Sequence, residues 1–159
     1  MKVAIVADTH WAVDRFQRLL QNLKAYNIRH LIHAGDYDGM GIEEILRAEK
    51  SFHFYIALGN CDRNSQKNSL LQEQSHITLE HLLSFSLEGI NFGVAHIPGE
   101  AQRMLRDGRI RVYVNGHTHR RQIKRYSGGM VLNPGSLMDS GGCLLLELPS
   151  LEVADYTVD

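Results

Sequence analysis

The chain has 159 residues, with 17 Lys and Arg against 18 Asp and Glu, 9 His and 2 Cys. That length suits one domain over residues 1–159 with a single good core, and a charge of -1 gives no handle for nucleic acid or anionic lipid. No apolar run approaches the ~20 residues of a bilayer span, Met1–Ala7 is too short for a secretory leader, and Cys61 and Cys143 alone exclude a disulfide framework, so a cytoplasmic location is expected.

In chain order, the continuous apolar run Val3 to Ala7 predicts a buried strand. Val13, Phe16, Leu19, Leu20 and Leu23 share one face of a helix over Val13 to Tyr26. A strand at His30 to His33, a helix over Ile42 to Lys50 and a strand at Phe52 to Leu58 follow, and this alternation predicts βαβ units with a parallel sheet. The second half reads as shorter strands: Ile77 to Leu79, Leu83 to Leu87, and Ile90 to Ala95 after a tight turn at Glu88-Gly89. A helix over Glu100 to Arg106 separates these from Arg111 to Val114, Gln122 to Tyr126, Met130 to Leu132, Cys143 to Leu148 and Val153 to Val158. The expected class is α/β, two sheets packed together with helices outside.

Several strands run directly into metal-capable residues. Val3 to Ala7 delivers Asp8-Thr9-His10, and the second strand delivers Gly35-Asp36. The third delivers Gly59-Asn60-Cys61-Asp62, Ile90 to Ala95 delivers His96, and Val112 to Asn115 delivers Gly116-His117-Thr118-His119. Carboxyl ends of strands form the ligand rim of open α/β sheets, and alternate residues of an extended chain point the same way, so Asp8 with His10 and His117 with His119 each offer paired donors. Taken singly, each motif has an ordinary explanation as a helix cap, a turn or a hydrogen-bonded core histidine. Five such ends in one chain favour a metal site of nitrogen and oxygen donors, suited to Mn, Fe, Zn or Ni. His30, His33, His53, His76 and His81 lack a second donor at chelating spacing and read as structural, with His33 near enough to Asp36 to support the site indirectly.

In this order the motifs resemble the calcineurin-like metallophosphoesterase superfamily, in its small single-domain phosphodiesterase branch of bacteria and archaea. The likeness includes Asn133-Pro134-Gly135-Ser136 and covers residues 1 to about 140. It implies a four-layer α/β/β/α sandwich of two mixed sheets flanked by helices. It also implies a binuclear centre, with Asp8, His10, Asp36 and His119 on one divalent ion, Asp36, Asn60, His96 and His117 on the other, and manganese the foremost candidate. The activity implied is hydrolysis of phosphoric ester bonds by a hydroxide bridging the two metals, the nucleophile being water rather than a side chain.

Cys61 stands where many relatives carry His, and a thiol stabilises a leaving oxygen less well than imidazolium. That favours phosphodiesters over monoesters, with phosphomonoesterase (nucleotidase or protein phosphatase) and a non-enzymatic scaffold of the same fold as the alternatives. Cys61, Asp62, Arg63 and Arg120 are expected beside the substrate. Trp11 is expected either to stack on a substrate ring or to pack at the rim. The partner expected is a small phosphoester substrate, without nucleic acid or membrane, and a homo-oligomer stays open.

Overall fold

The computed structural model describes residues 1–63, 65–105 and 108–159. Strands β1 (Lys2–Val6), β2 (His30–His33), β3 (His53–Ala57) and β4 (Ile77–Glu80) lie parallel, and β10 (Gly142–Glu147) and β11 (Glu152–Thr157) extend this sheet antiparallel beyond β1, giving the order β11-β10-β1-β2-β3-β4. The second sheet runs β5-β6-β7-β9-β8, from β5 (Leu82–Leu87), β6 (Ile90–Ala95), β7 (Val112–Val114), β8 (Gln122–Tyr126) and β9 (Gly129–Asn133), with β6, β7 and β9 parallel.

The period-two alternation of a strand sorts side chains between two cores. From β1, Val3 and Ile5 face the second sheet, where they meet Phe92, Val94, Val112, Val114 and Leu132. Ala4 and Val6 face the other way, against the helices, with Phe16, Leu19, Phe54 and Ile56. Helix α1 (Val13–Ala25) buries Phe16, Leu19, Leu20 and Leu23 and ends where Asn27 takes a left-handed φ of 56°. Helices α2 (Ile42–Ala48) and α3 (Asn68–Gln72) cover the same face. On the far side, Ala95 and Tyr113 form a smaller cluster with Met104 of α4 (Pro98–Leu105). The layers are therefore helices, sheet, sheet, helix, the four-layer α/β/β/α sandwich of two mixed sheets.

Two helices lie outside the sequence reading: α3 and α5 (Leu137–Ser140), both too short to show a helical period. The helix expected over Glu100 to Arg106 begins two residues earlier, at Pro98, a favoured first helical residue; Arg106 lies outside the described residues. No helix among the described residues is long and apolar enough to cross a membrane.

Candidate metal centre

The parallel strands β1, β2, β3, β6 and β7 bring their carboxyl ends to one rim, where the two sheets meet. Backbone bonds lace the rim together: Asp8 N–H donates to Gly35 O at 2.9 Å, His10 N–H to Asp36 O at 3.0 Å, and Gly116 N–H to His96 O at 3.0 Å. Side chains would not fit at the crossing points. A Cβ on Gly116 would lie 2.8 Å from Ala7 Cβ and 2.9 Å from Ala34 O, and one on Gly35 would lie 2.8 Å from His96 Nδ1. Asp8, His10, Asp36, His117 and His119 have φ between 43° and 67°. Left-handed backbone is uncommon outside glycine, and this concentration of it marks a functional rim.

Carboxylates and imidazoles converge there. Ligand atoms of Asp8, His10 and His119 lie within 4.8 Å of one another, as do those of Asp8, Asp36 and His96, and those of His10, Asp36 and Cys61. Nε2 of His96 is 3.2 Å from Asp36 Oδ2, Nε2 of His119 is 3.3 Å from Asp8 Oδ1, and Nε2 of His10 is 3.8 Å from Asp36 Oδ2. The opposite ring nitrogens are all engaged. Nδ1–H of His10 donates to Asp38 Oδ1 at 2.8 Å, that of His119 to Asp139 Oδ2 at 2.6 Å, and that of His96 to the Ala34 carbonyl at 2.7 Å. Carboxylate and carbonyl oxygens have no proton to give, so each Nδ1 carries the hydrogen and a neutral ring keeps an Nε2 lone pair turned to the centre. Asp8 Oδ1 and His96 Nε2 are buried with no hydrogen-bond partner among the described residues. Two orphaned ligand atoms among carboxylates and correctly tautomerised imidazoles fit a cation, and no other group among the described residues satisfies them.

Burial pushes the Asp8 carboxyl up against the pull of His96 and His119. Burial acts the same way on Asp36, but the His96 imidazole beside it and the hydrogen bond from the Cys61 backbone N–H overcome it and hold that carboxyl well below the usual range. Asp36 is thus the firmer anion.

Asn60 and His117 stand next to these groups in the chain but outside them. The Asn60 side chain is exposed, its amide donating to Cys61 Sγ at 3.4 Å. The His117 backbone N–H donates to Asp8 Oδ2 at 3.1 Å, while its ring packs edge-on to His96 at 5.1 Å.

The four residues expected beside the substrate are placed differently from one another. Asp62 is turned inward and only 1% exposed, accepting N–H bonds from Asp36 and Gly59 at 2.7 Å and from Tyr37 at 3.0 Å, so it shapes the loops rather than touching substrate. Burial pushes its carboxyl up to about 6, while those three donors favour the charged form. Arg63 is held by Glu100 at 3.2 Å. Cys61 is exposed, yet partial burial and the nearby Asp36 and Asp38 push its thiol up to about 12, so it carries little thiolate. Arg120 has an exposed guanidinium with no partner among the described residues, on a polar groove of about 670 Å³ shared with Thr118, Asn115, Asn133 and Gln122. Trp11 is 76% exposed, which removes packing as its role.

The structure adds two residues that sequence reasoning passed over and gives a place to others that it had named. Asp38 and Asp139 orient two of the imidazoles, and the only sequence signal was an acid two residues after Asp36 and another three after Ser136. The Asn133-Pro134-Gly135-Ser136 element works as an internal latch. Asn133 Nδ2 donates to Asn115 Oδ1, Gly116 O and Thr118 Oγ1, and Ser136 Oγ donates to Asp8 O at 3.2 Å. Buried His33 accepts from Gly35 N–H at 3.1 Å and donates to Thr9 Oγ1 at 2.7 Å, clamping both carboxylate loops from below.

Comparison with known proteins points one way. The model of the calcineurin-like phosphoesterase superfamily domain matches residues 1–148. Phosphodiesterase MJ0936 of Methanocaldococcus jannaschii is 24% identical over 141 residues, covering 85% of this chain and 83% of that protein. A solved structure described as a novel archaeal phosphodiesterase superposes with a TM-score of 0.87 at 18% identity, covering 99% of this chain and all of that one, and it shows the shared fold. The crystal structure of Vps29 from Entamoeba histolytica complexed with zinc superposes at 0.69 with 22% identity, covering 96% and 89% of the two chains.

Proposed function

The chain belongs to the calcineurin-like phosphoesterase superfamily, and from that premise we propose that this metal-dependent hydrolase of phosphoric ester bonds acts on phosphodiesters with two divalent ions. Asp8, His10, Asp36 and His119 hold one ion and Asp36, Asn60, His96 and His117 the other, with manganese the foremost candidate and iron, zinc and nickel equally suited to these nitrogen and oxygen donors, so that availability decides as much as ligand type. The observation that carries this reading is the pair of orphaned atoms, Asp8 Oδ1 and His96 Nε2, facing each other at 3.9 Å in a fully buried setting. When bound, such ions supply Lewis-acid charge for phosphoryl oxygens and an acidified water as nucleophile.

The chain's own residues do the rest. Asp36, the firmer carboxylate, sits between the two histidine sets and serves both positions. The free guanidinium of Arg120 offers its planar donors to a phosphoryl oxygen arriving along the groove. Cys61, protonated at neutral pH, gives a departing oxygen only a weak hydrogen bond, which favours good leaving groups and singly charged diesters. The two relatives named phosphodiesterases support the same preference. Residues 1–159 act as one domain in this reading, and the free thiols of Cys61 and Cys143 suit the cytoplasm.

The test is a side-by-side assay of bis-p-nitrophenyl phosphate and p-nitrophenyl phosphate with manganese-loaded protein. Faster turnover of the diester, abolished by chelation and restored by manganese, is expected. Turnover that survives chelation overturns the metal reading, and faster monoester turnover makes the protein a monoesterase.

A further inference from the structure

Resting on the two-ion reading above, we infer that the two metal positions are unequal: the Asp8, His10, Asp36, His119 position binds first and tightly because Asp38 and Asp139 hold its imidazoles, and the position of Asn60, His96 and His117 fills second and exchanges readily. The difference lies in what stands behind each ring. His10 and His119 donate Nδ1–H to carboxylates, Asp38 at 2.8 Å and Asp139 at 2.6 Å. A carboxylate behind an imidazole fixes its tautomer and rotation and raises the basicity of the nitrogen that meets the metal. His96 donates instead to the neutral carbonyl of Ala34, and among the described residues the His117 ring has only its edge contact with His96.

Preorganisation acts in the same direction. Asp8, His10 and His119 already hold their ligand atoms within 4.8 Å of one another, whereas of the carboxylate and imidazoles at the second position only Asp36 and His96 are gathered in this way, and His117 joins no such group among the described residues. His119 is also open to solvent but is pinned by Asp139, whereas Asn60 and His117 have exposed side chains without a carboxylate behind them among the described residues and must be ordered when an ion arrives, which costs conformational entropy. Charge adds to both effects, since Asp38 and Asp139 bring two further anions behind the first position.

The supporting carboxylates are themselves fixed by the fold. Asp139 stands in α5, its own N–H donating to Ser136 Oγ at 3.0 Å, while that hydroxyl donates to Asp8 O and the Met138 N–H donates to the same carbonyl at 3.1 Å. The Asn-Pro-Gly-Ser latch therefore sets the Asp139–His119 pair and the Asp8 loop together. Asp38 and Asp139 touch no reacting atom in this scheme; they are positioning residues.

Calorimetric titration of manganese chloride into the chelator-stripped protein tests the ranking, with Asp139→Asn, Asp38→Asn and His117→Ala beside the wild type and the melting temperature of each metal-free sample. Two binding classes are expected in the wild type. Each Asp→Asn change is expected to weaken the tight class about 10–100-fold, leaving the weak class and the metal-free melting temperature in place, whereas His117→Ala weakens the weak class alone. A purely structural role for the two acids would instead lower the melting temperature and disturb both classes. Should Asp38→Asn alone lower the melting temperature, the half-exposed Asp139 decides. Two equivalent sites in the wild type, or a tight class indifferent to Asp139→Asn, overturns the ranking. Absence of any manganese binding overturns the two-ion reading itself.

Discussion

Between Lys2 and Val6 the backbone is regular strand, and every side chain from Val3 onward is buried among apolar neighbours. Two residues later Asp8 has a left-handed φ of 51°, a carboxyl raised by burial and an oxygen without a partner. The same contrast repeats where β2 runs into Asp36 and β7 into His117. Strand interiors satisfy each local rule of folding, and strand ends break several at once, in backbone, charge and hydrogen bonding. Such a rim persists only because the sheets beneath over-determine it. The core thus carries stability and the rim carries chemistry, and the two respond differently to substitution.

The largest separation between them is expected from Asp36→Asn. Removing the carboxylate that the proposal shares between two metal positions is expected to lower diester turnover about 10³-fold or more, roughly 4 kcal/mol of transition-state stabilisation, with an unchanged circular dichroism spectrum. Steady-state kinetics on the manganese-loaded variant check this, and a loss under tenfold would show that Asp36 is no bridge. The reverse pattern belongs to Phe54→Ala, which empties part of the helix-side core. Denaturant unfolding should show a loss of about 3–5 kcal/mol, while turnover per folded molecule stays near wild type.

Gly59→Ala sharpens the boundary between the two regions. Its Cβ would drive into the Asp36 carboxyl and backbone nitrogen, so a stability loss of about 1–3 kcal/mol accompanied by weaker manganese binding is expected. Stability loss without weaker binding would mean that the third strand end has no bearing on the metal centre.

The smallest effect is a pH slope. Burial lowers the folded-state pKa of His33 from 6.5 to about 3. Below pH 6.5 the unfolded chain binds a proton that the folded chain refuses, so His33 erodes stability as pH falls, by up to about 1.4 kcal/mol per pH unit until the folded pKa is reached. Above 6.5 it contributes no slope. Unfolding curves of wild type and His33→Gln across pH 4–7 are expected to differ in that slope, and parallel curves would place the His33 proton elsewhere.

Much of this organisation was legible in the chain because the strands are local. Val3 to Ala7 is apolar without interruption, as only a doubly covered strand is, and Phe16, Leu19, Leu20 and Leu23 recur at a helical period. The antiparallel addition of β10 and β11 beside β1 was not legible, since pairing across more than a hundred residues leaves no mark in a short window. The Asp and His residues that gather in the candidate centre announced themselves by residue type at strand ends. Their outward supports did not: Asp38 and Asp139 resemble any solvated acid until the fold sets them against His10 and His119. Asp62 misled for the opposite reason, because a carboxylate in a ligand motif looks chemical, yet its oxygens are consumed by the backbone N–H groups of Gly59, Asp36 and Tyr37.

The most direct measurement is anomalous diffraction from a crystal of the protein grown with manganese. Two peaks are expected, one bounded by Asp8, His10, Asp36 and His119 and the other by Asp36, Asn60, His96 and His117. A centre with no peak, or manganese bound away from Asp36, would contradict the account.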